Sequence, residues 1–203
     1  MRVLGIDPAL AGPTGYGIVE TDGRNYRSLD FGAVKARRSP KARAGLSGPF
    51  TPEVPARLRE IYAVVLRLLE KHSPDAVAVE SVFTALNMRT ALKLAEVRGV
   101  VLLAAAERGI PVHSYSPREV KAAVAGYGNA DKHQMQQMVR VVLGMRSEAA
   151  SLGSDAADAL AIALCHIYSA QAQARIATAT APLPARRNGG TNGHRAARIQ
   201  SPR

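Results

Sequence analysis

The sequence predicts an α/β domain built on a mixed sheet, and three observations carry that reading. Three β-compatible segments follow one another near the N-terminus, separated by Pro/Gly/Thr and Asp-Gly turn signals, which makes them successive antiparallel strands. Further on, a short apolar strand, a long helical stretch and another strand follow in that order, the pattern of a parallel pair joined by a crossover helix. The 203 residues, 47% hydrophobic and 21% charged, suit one compact domain with a tail rather than two full domains.

The first three strands are read at residues 2–7, 14–20 and 26–35, with Asp22-Gly23 as a hairpin turn. Residues 36–54 (ARRSPKARAGLSGPFTPEV) mix Pro, Gly, Ser and basic side chains with almost no apolar periodicity, and are expected to form a mobile basic loop. From Pro55, which suits a helix start, Leu58, Ile61, Val65, Leu68 and Leu69 recur at helical spacing up to His72. Pro74-Asp75 then turns into the strand AVAVE, which ends at Glu80. A helix is predicted from about Asn87 to Arg108, and Gly109-Ile110-Pro111 turns it into the strand VHSY. Helices at about 117–125, 131–144 and 153–170 complete a domain spanning residues 1–170. Residues 171–203 carry no acid and no adequate core pattern, so they are expected to be a disordered basic tail.

Lys and Arg number 27 against 16 Asp and Glu, a net charge of +11 that favours a polyphosphate partner over an acidic one. One cysteine, Cys165, rules out an internal disulfide framework and points to the cytoplasm; its apolar neighbours mark it as a small buried hydrophobe. The longest apolar run, Val100 to Ala106, is far too short for a bilayer, so no membrane association is expected. His72, His113, His133, His166 and His194 lie on unrelated elements and are not expected to form a metal set. His133, beside Lys132, is the one placed near a phosphate ligand.

Four carboxylates stand out. Asp7 ends the first strand and Glu80 ends AVAVE, so the two are neighbours if those strands pair in parallel. A lone charge closing an apolar strand is expensive to place, which makes Glu80 hard to read as structural. Asp155 and Asp158 lie three apart at a helix start and so share a face. Asp155, helped by Ser154, would also serve as an ordinary helix-start acid. An acidic cluster on so basic a protein would repel a phosphate substrate unless divalent cations neutralised it. Mg²⁺ takes hard oxygen ligands, needs one or two carboxylates per ion, and leaves positions for water and phosphate. Two such ions about 3.5–4 Å apart can activate water and stabilise a leaving oxygen.

The blocks GIDPALAGPTGYG, VAVESVF, ALKLAEVRG, SPREVKAAVAGYGNADKHQM and SDAADALAIAL, in that order and spacing, resemble the RuvC family of Holliday junction resolvases. The resemblance covers roughly residues 1–168. It implies a ribonuclease H-like fold with a five-stranded mixed sheet in strand order 3-2-1-4-5, acting as a homodimer on four-way junction DNA. It places Asp7, Glu80, Asp155 and Asp158 on the family's metal-binding catalytic acids, with two Mg²⁺ per subunit and Mn²⁺ as a substitute. Lys121 and Lys132 fall on its phosphate-contacting lysines, and Phe83 on an aromatic that stacks on a base. Cleavage to 5′-phosphate and 3′-hydroxyl ends and partnership with the RuvA–RuvB branch-migration complex follow from the same resemblance. The helix at about 87–108, rich in Ala and Leu, is the expected dimer element.

Two departures from the family pattern stand out. Ala9-Leu10 replace a Gly and a small hydroxyl after Asp-Pro, in a turn one residue longer, and the 36–54 loop is extended. A sugar kinase or chaperone ATPase also opens on a GID strand, but it needs two lobes and a second phosphate loop that this length excludes. A non-cleaving branched-DNA binder and another ribonuclease H-like nuclease remain the alternatives.

Overall fold

A computed structural model of the chain describes residues 1–35, 53–81, 88–145 and 152–180. The elements in chain order are β1 (Arg2–Asp7), β2 (Thr14–Thr21), β3 (Tyr26–Val34), α1 (Glu53–His72), β4 (Ala76–Glu80), α2 (Met88–Ala106), β5 (Val112–Tyr115), α3 (Pro117–Ala125), α4 (Lys132–Val142) and α5 (Ser154–Thr180). The sheet runs β3-β2-β1-β4-β5, as the resemblance implied. Its first two pairings are antiparallel, while β4 lies parallel to both β1 and β5.

Alternation along the strands divides the interior into two layers. Leu4, Ile6, Ile18, Val77 and Val79 face α1 and α2, meeting Ile61, Val65, Val97 and Val101. Val3, Val19 and Ala78 face the other way, onto Val120, Val139, Leu160 and Leu164 of α3, α4 and α5. By the same period of two, Asp7 and Glu80 share the face of Val3 and Ala78, towards α5. From Ala156 to Ile167, α5 is buried at every position except Asp158, so this helix is the spine of the domain.

Close seating of α5 on the sheet depends on missing side chains. Gly5 of β1 pairs with Gly17 of β2, and Asp7 pairs with Gly15. A Cβ on Gly5 would run into the carbonyl of Ala159, and one on Gly15 into that of Asp155; at Gly17 it would lie 2.6 Å from Leu160 Cδ2. These three glycines form a trough in which the helix backbone rests almost directly on the strands.

Several boundaries differ from the sequence reading, and two of them have a clear cause or consequence. The last helix continues past residue 170 to Thr180, because Gln171 Oε1 accepts from Tyr26 Oη at 3.0 Å and the Ala-rich run beyond it has high helix propensity. A core pattern is absent there because residues 172–180 are exposed. The helix after the basic loop starts at Glu53 rather than Pro55. Most of that loop, residues 36–52, and the tail from 181 onwards lie outside the described residues.

Candidate active site

Two parallel strands and one helix bring the acids together. Ile6 of β1 stands opposite Val79 of β4, so Asp7 and Glu80, one residue further on, end adjacent strands. The glycine trough brings the first turn of α5 to the same edge, since Gly15, the partner of Asp7, touches the backbone of Asp155. One turn on, Asp158 opens into a cleft of about 270 Å³ lined also by Asp7, Glu80, Lys121, Lys132, Pro117 and Met135.

Burial pushes the Asp7 carboxyl up to about 7 from its ordinary 3.8, reinforced by the negative charges of Glu80, Asp158 and Asp155. Glu80 is raised too, first by burial and then by Asp158. Lys132 is the cation that opposes this crowding: its Nζ lies 3.3 Å from Asp158 Oδ2. Its ammonium thus sits where an anionic cluster attracts any cation.

The two lysines are presented by capped helices. Ser116 Oγ accepts from the Glu119 amide while Glu119 accepts from the Ser116 amide, which fixes the start of α3 one turn before Lys121. Asp131 and Gln134 form the same reciprocal pair at α4, so Lys132 is its first residue. Each helix therefore holds its lysine at the cleft with a defined backbone, leaving only the side chain free.

The turn after Asp7, residues 8–13, is held by side chains. Leu10 is buried at 8% exposure in the α1/α2 layer, so the turn is anchored by an apolar plug. Thr14 Oγ1 donates to the Ala9 carbonyl at 2.5 Å and accepts from the Ala9 amide at 3.3 Å, closing the loop from within.

The structure thus gathers Asp7, Glu80, Asp158, Lys121 and Lys132 around one cleft. Asp155 stands close enough to act on Asp7 electrostatically without lining the cleft. The expected help from Ser154 is absent: its buried hydroxyl has no partner among the described residues, and the Ala157 amide bonds the Gly153 carbonyl instead. Phe83 lies outside the described residues. Among the described residues, no three acids close tightly enough to hold one ion by themselves. Asp7, Glu80 and Asp158 line an open acidic rim.

Outside the cleft, the rings of His113 on β5 and His166 on α5 meet with centroids 4.3 Å apart, tilted by 33°, and Tyr115 Oη meets His166 Nδ1 at 2.7 Å. Cys165 is buried as expected, and burial pushes its thiol up to about 12. Sequence reasoning missed Gly5, Gly15 and Gly17 as site-builders; their alternation at a period of two within strands was the available signal.

Residues 3–166 match the sequence model of RuvC, the crossover junction endodeoxyribonuclease. The chain belongs to the RuvC family. A RuvC of Chloroflexus aggregans is 47% identical over 170 residues, 84% of this chain and 94% of its own length. One from Syntrophomonas wolfei is 42% identical over 169 residues, 83% of this chain and 90% of its own. Among solved structures, Thermus thermophilus RuvC in complex with a Holliday junction substrate is 40% identical, with a TM-score of 0.72 over 85% of this chain and 96% of that one. The RuvC model match thus ends within the buried stretch of α5. No helix among the described residues is long and apolar enough to cross a membrane.

Proposed function

We propose that this chain is a metal-dependent crossover junction endodeoxyribonuclease that cuts four-way DNA as a homodimer in the cytoplasm. The observation that carries this reading is the cleft in which Asp7, Glu80 and Asp158 face Lys121 and Lys132. A divalent ion fits the donor set: the acids offer only hard oxygens, and burial together with their mutual repulsion raises Asp7 and Glu80 above their ordinary values. The open rim suits Mg²⁺, with Mn²⁺ as a substitute, because each ion takes one or two carboxylates and completes its shell with water and phosphate oxygens. When bound, a pair of such ions supplies an activated water and neutralises charge on the leaving 3′ oxygen.

The chain's own part is positional. Asp7 and Glu80, fixed by the sheet, and Asp158, fixed by α5, would hold the ions, with Asp155 beside Asp7 as the fourth acid. Lys121 and Lys132 bind phosphate oxygens as point charges on either side of the cleft. Lys132, paired with Asp158 in this structure, would be free to contact a DNA phosphate if Asp158 held an ion. Phe83, three residues beyond Glu80, supplies a face for a base unstacked at the crossover. Water attacks opposite the leaving oxygen, so the products carry a 5′-phosphate and a 3′-hydroxyl.

Dimerisation is supported by α2. Leu92, Gly99, Leu102 and Leu103 are exposed, as are Ala95 and Ala106, and these positions follow a heptad-like spacing on one side of the helix. Pairing two such stripes would place two clefts under one two-fold axis, which gives paired symmetric cuts. The RuvA–RuvB complex is the partner that the family suggests.

A cleavage gel with four-way junction, linear duplex and RNA–DNA hybrid at matched salt, across a metal titration, tests the reading. Junction cutting that requires metal is expected. Asp7→Asn should retain junction binding and lose cleavage, and cutting by that variant would remove Asp7 from the ligand set.

A further inference from the structure

Arg57, in the second turn of α1, is 7% exposed, which is rare for an arginine. Its guanidinium reaches three carbonyls from two separate segments. Nη1 donates to Lys35 O at 2.9 Å and to Glu60 Oε2 at 3.2 Å, while Nη2 donates to Val34 O and to Gly12 O at 3.2 Å. Val34 ends β3 and Lys35 follows it, while Gly12 lies in the turn that follows Asp7. That turn needs a holder, since among the described residues positions 8–13 make no backbone–backbone hydrogen bond across it. Side chains hold it instead: Thr14 closes it from within, Leu10 plugs it into the core, and Arg57 ties its far end to β3.

We infer that Arg57 is a positioning residue for the nuclease site: by clamping the 8–13 turn against β3 and α1, it holds the chain that leaves the strand end bearing Asp7, and so the rim beside the Asp7 carboxylate. The inference rests on the nuclease reading above. A planar fork with five donors can bridge several acceptors at fixed angles, whereas a lysine ammonium can satisfy one or two of them and cannot hold the bridge. Charge and hydrogen bonding are therefore separable. Arg57→Lys keeps the cation and loses the geometry, and Arg57→Met loses both.

The test compares wild type, Arg57→Lys and Arg57→Met in three measurements on the full chain. Replacing a residue that orients a metal ligand from outside typically costs about 10–100-fold in metal affinity, so Arg57→Lys should need about tenfold more Mn²⁺ for half-maximal junction cleavage. Its junction Kd should stay within about twofold of wild type, since the residue is buried away from any ligand. In metal-free protein, hydrogen exchange of the amides at residues 9–14 should accelerate about tenfold or more, while those of α5 keep wild-type protection. Arg57→Met should show the same changes, larger, together with a lower Tm.

A purely structural role predicts something different: activity falling only with the folded fraction, at an unchanged metal requirement. That result, or unchanged exchange at residues 9–14 in Arg57→Lys, would overturn the inference. If wild-type protein cuts no junction at any metal concentration, the nuclease reading fails on its own. The clamp is then still decided by the exchange data and by whether Mn²⁺ raises the Tm of wild type more than that of Arg57→Lys.

Discussion

Asp7→Asn should make the metal-free protein more stable at neutral pH while removing its cleavage activity. Asp7 ionises at about 7 in the fold against 3.8 for an unperturbed aspartate, a gap of roughly three units. At about 1.4 kcal/mol per unit, holding the charged form in the fold costs roughly 4 kcal/mol. Asparagine removes that charge but still buries an amide, so the net gain should be about 2–3 kcal/mol. For a domain of this size each kcal/mol moves Tm by about 2–4 °C, which makes the expected rise roughly 4–12 °C. The sign follows from proton binding: between about pH 4 and 7 the folded state keeps a proton on Asp7 that the unfolded chain has released, so wild-type stability declines as pH rises through that window. Below it, both states are protonated and the variant's advantage should vanish. Thermal melts of both proteins in chelator at about pH 4 and pH 8, then at pH 8 with Mn²⁺, read this directly. Metal should raise the wild-type Tm more than the variant's. An equal gap at both pH values, or a variant no more stable than wild type at pH 8, would refute the electrostatic account of the site.

Other expectations follow from the same geometry. His166 is pushed down to about 4 from 6.5 by burial and by His113, so the fold should lose about 2–3 kcal/mol as pH falls from about 6.5 to 4, and a His166→Leu variant should lack that part of the acid transition in urea melts. Gly5→Ala should cost at least about 2 kcal/mol and abolish cleavage, because the added methyl meets backbone of Ala159 that cannot rotate away; denaturant titration and the junction gel would show both. Lys132→Ala should weaken junction binding and reduce its salt slope by about one counterion, measured by anisotropy from low to moderate salt. Charging the α2 stripe with Leu92→Glu and Leu103→Glu should convert a dimer into monomers by light scattering, since both side chains are exposed and their loss spares the core.

Much of this fold was legible because charge and apolar runs interrupt one another at informative places. Asp7 and Glu80 close apolar strands, and Asp155 and Asp158 open a helix whose remaining face is Ala, Leu and Ile; these contrasts locate strand ends and helix starts without any structure. Strand order came from the family resemblance and agrees with the observed sheet. What stayed hidden involved residues whose types mislead. Gly15 and Gly17 fall inside the predicted strand at 14–20, but the sequence does not show that they are there to admit α5. Nothing in the sequence marks Arg57, because burial of its guanidinium depends on carbonyls contributed by Gly12, Val34 and Lys35, distant in sequence. Leu10 looks like an oddity in a turn until the pocket it fills is visible. The last turns of α5 escaped because propensity, not burial, sustains them.

The glycine trough has a consequence for how this enzyme tolerates change. Where Gly5 and Gly15 meet α5 main chain directly, the separation of helix and strand is set by peptide dimensions and not by the size of an interchangeable side chain. Mutational drift in either apolar layer can therefore lower melting temperature without retuning the spacing of the acids, so weakened variants should stay fully competent per folded molecule until they unfold altogether.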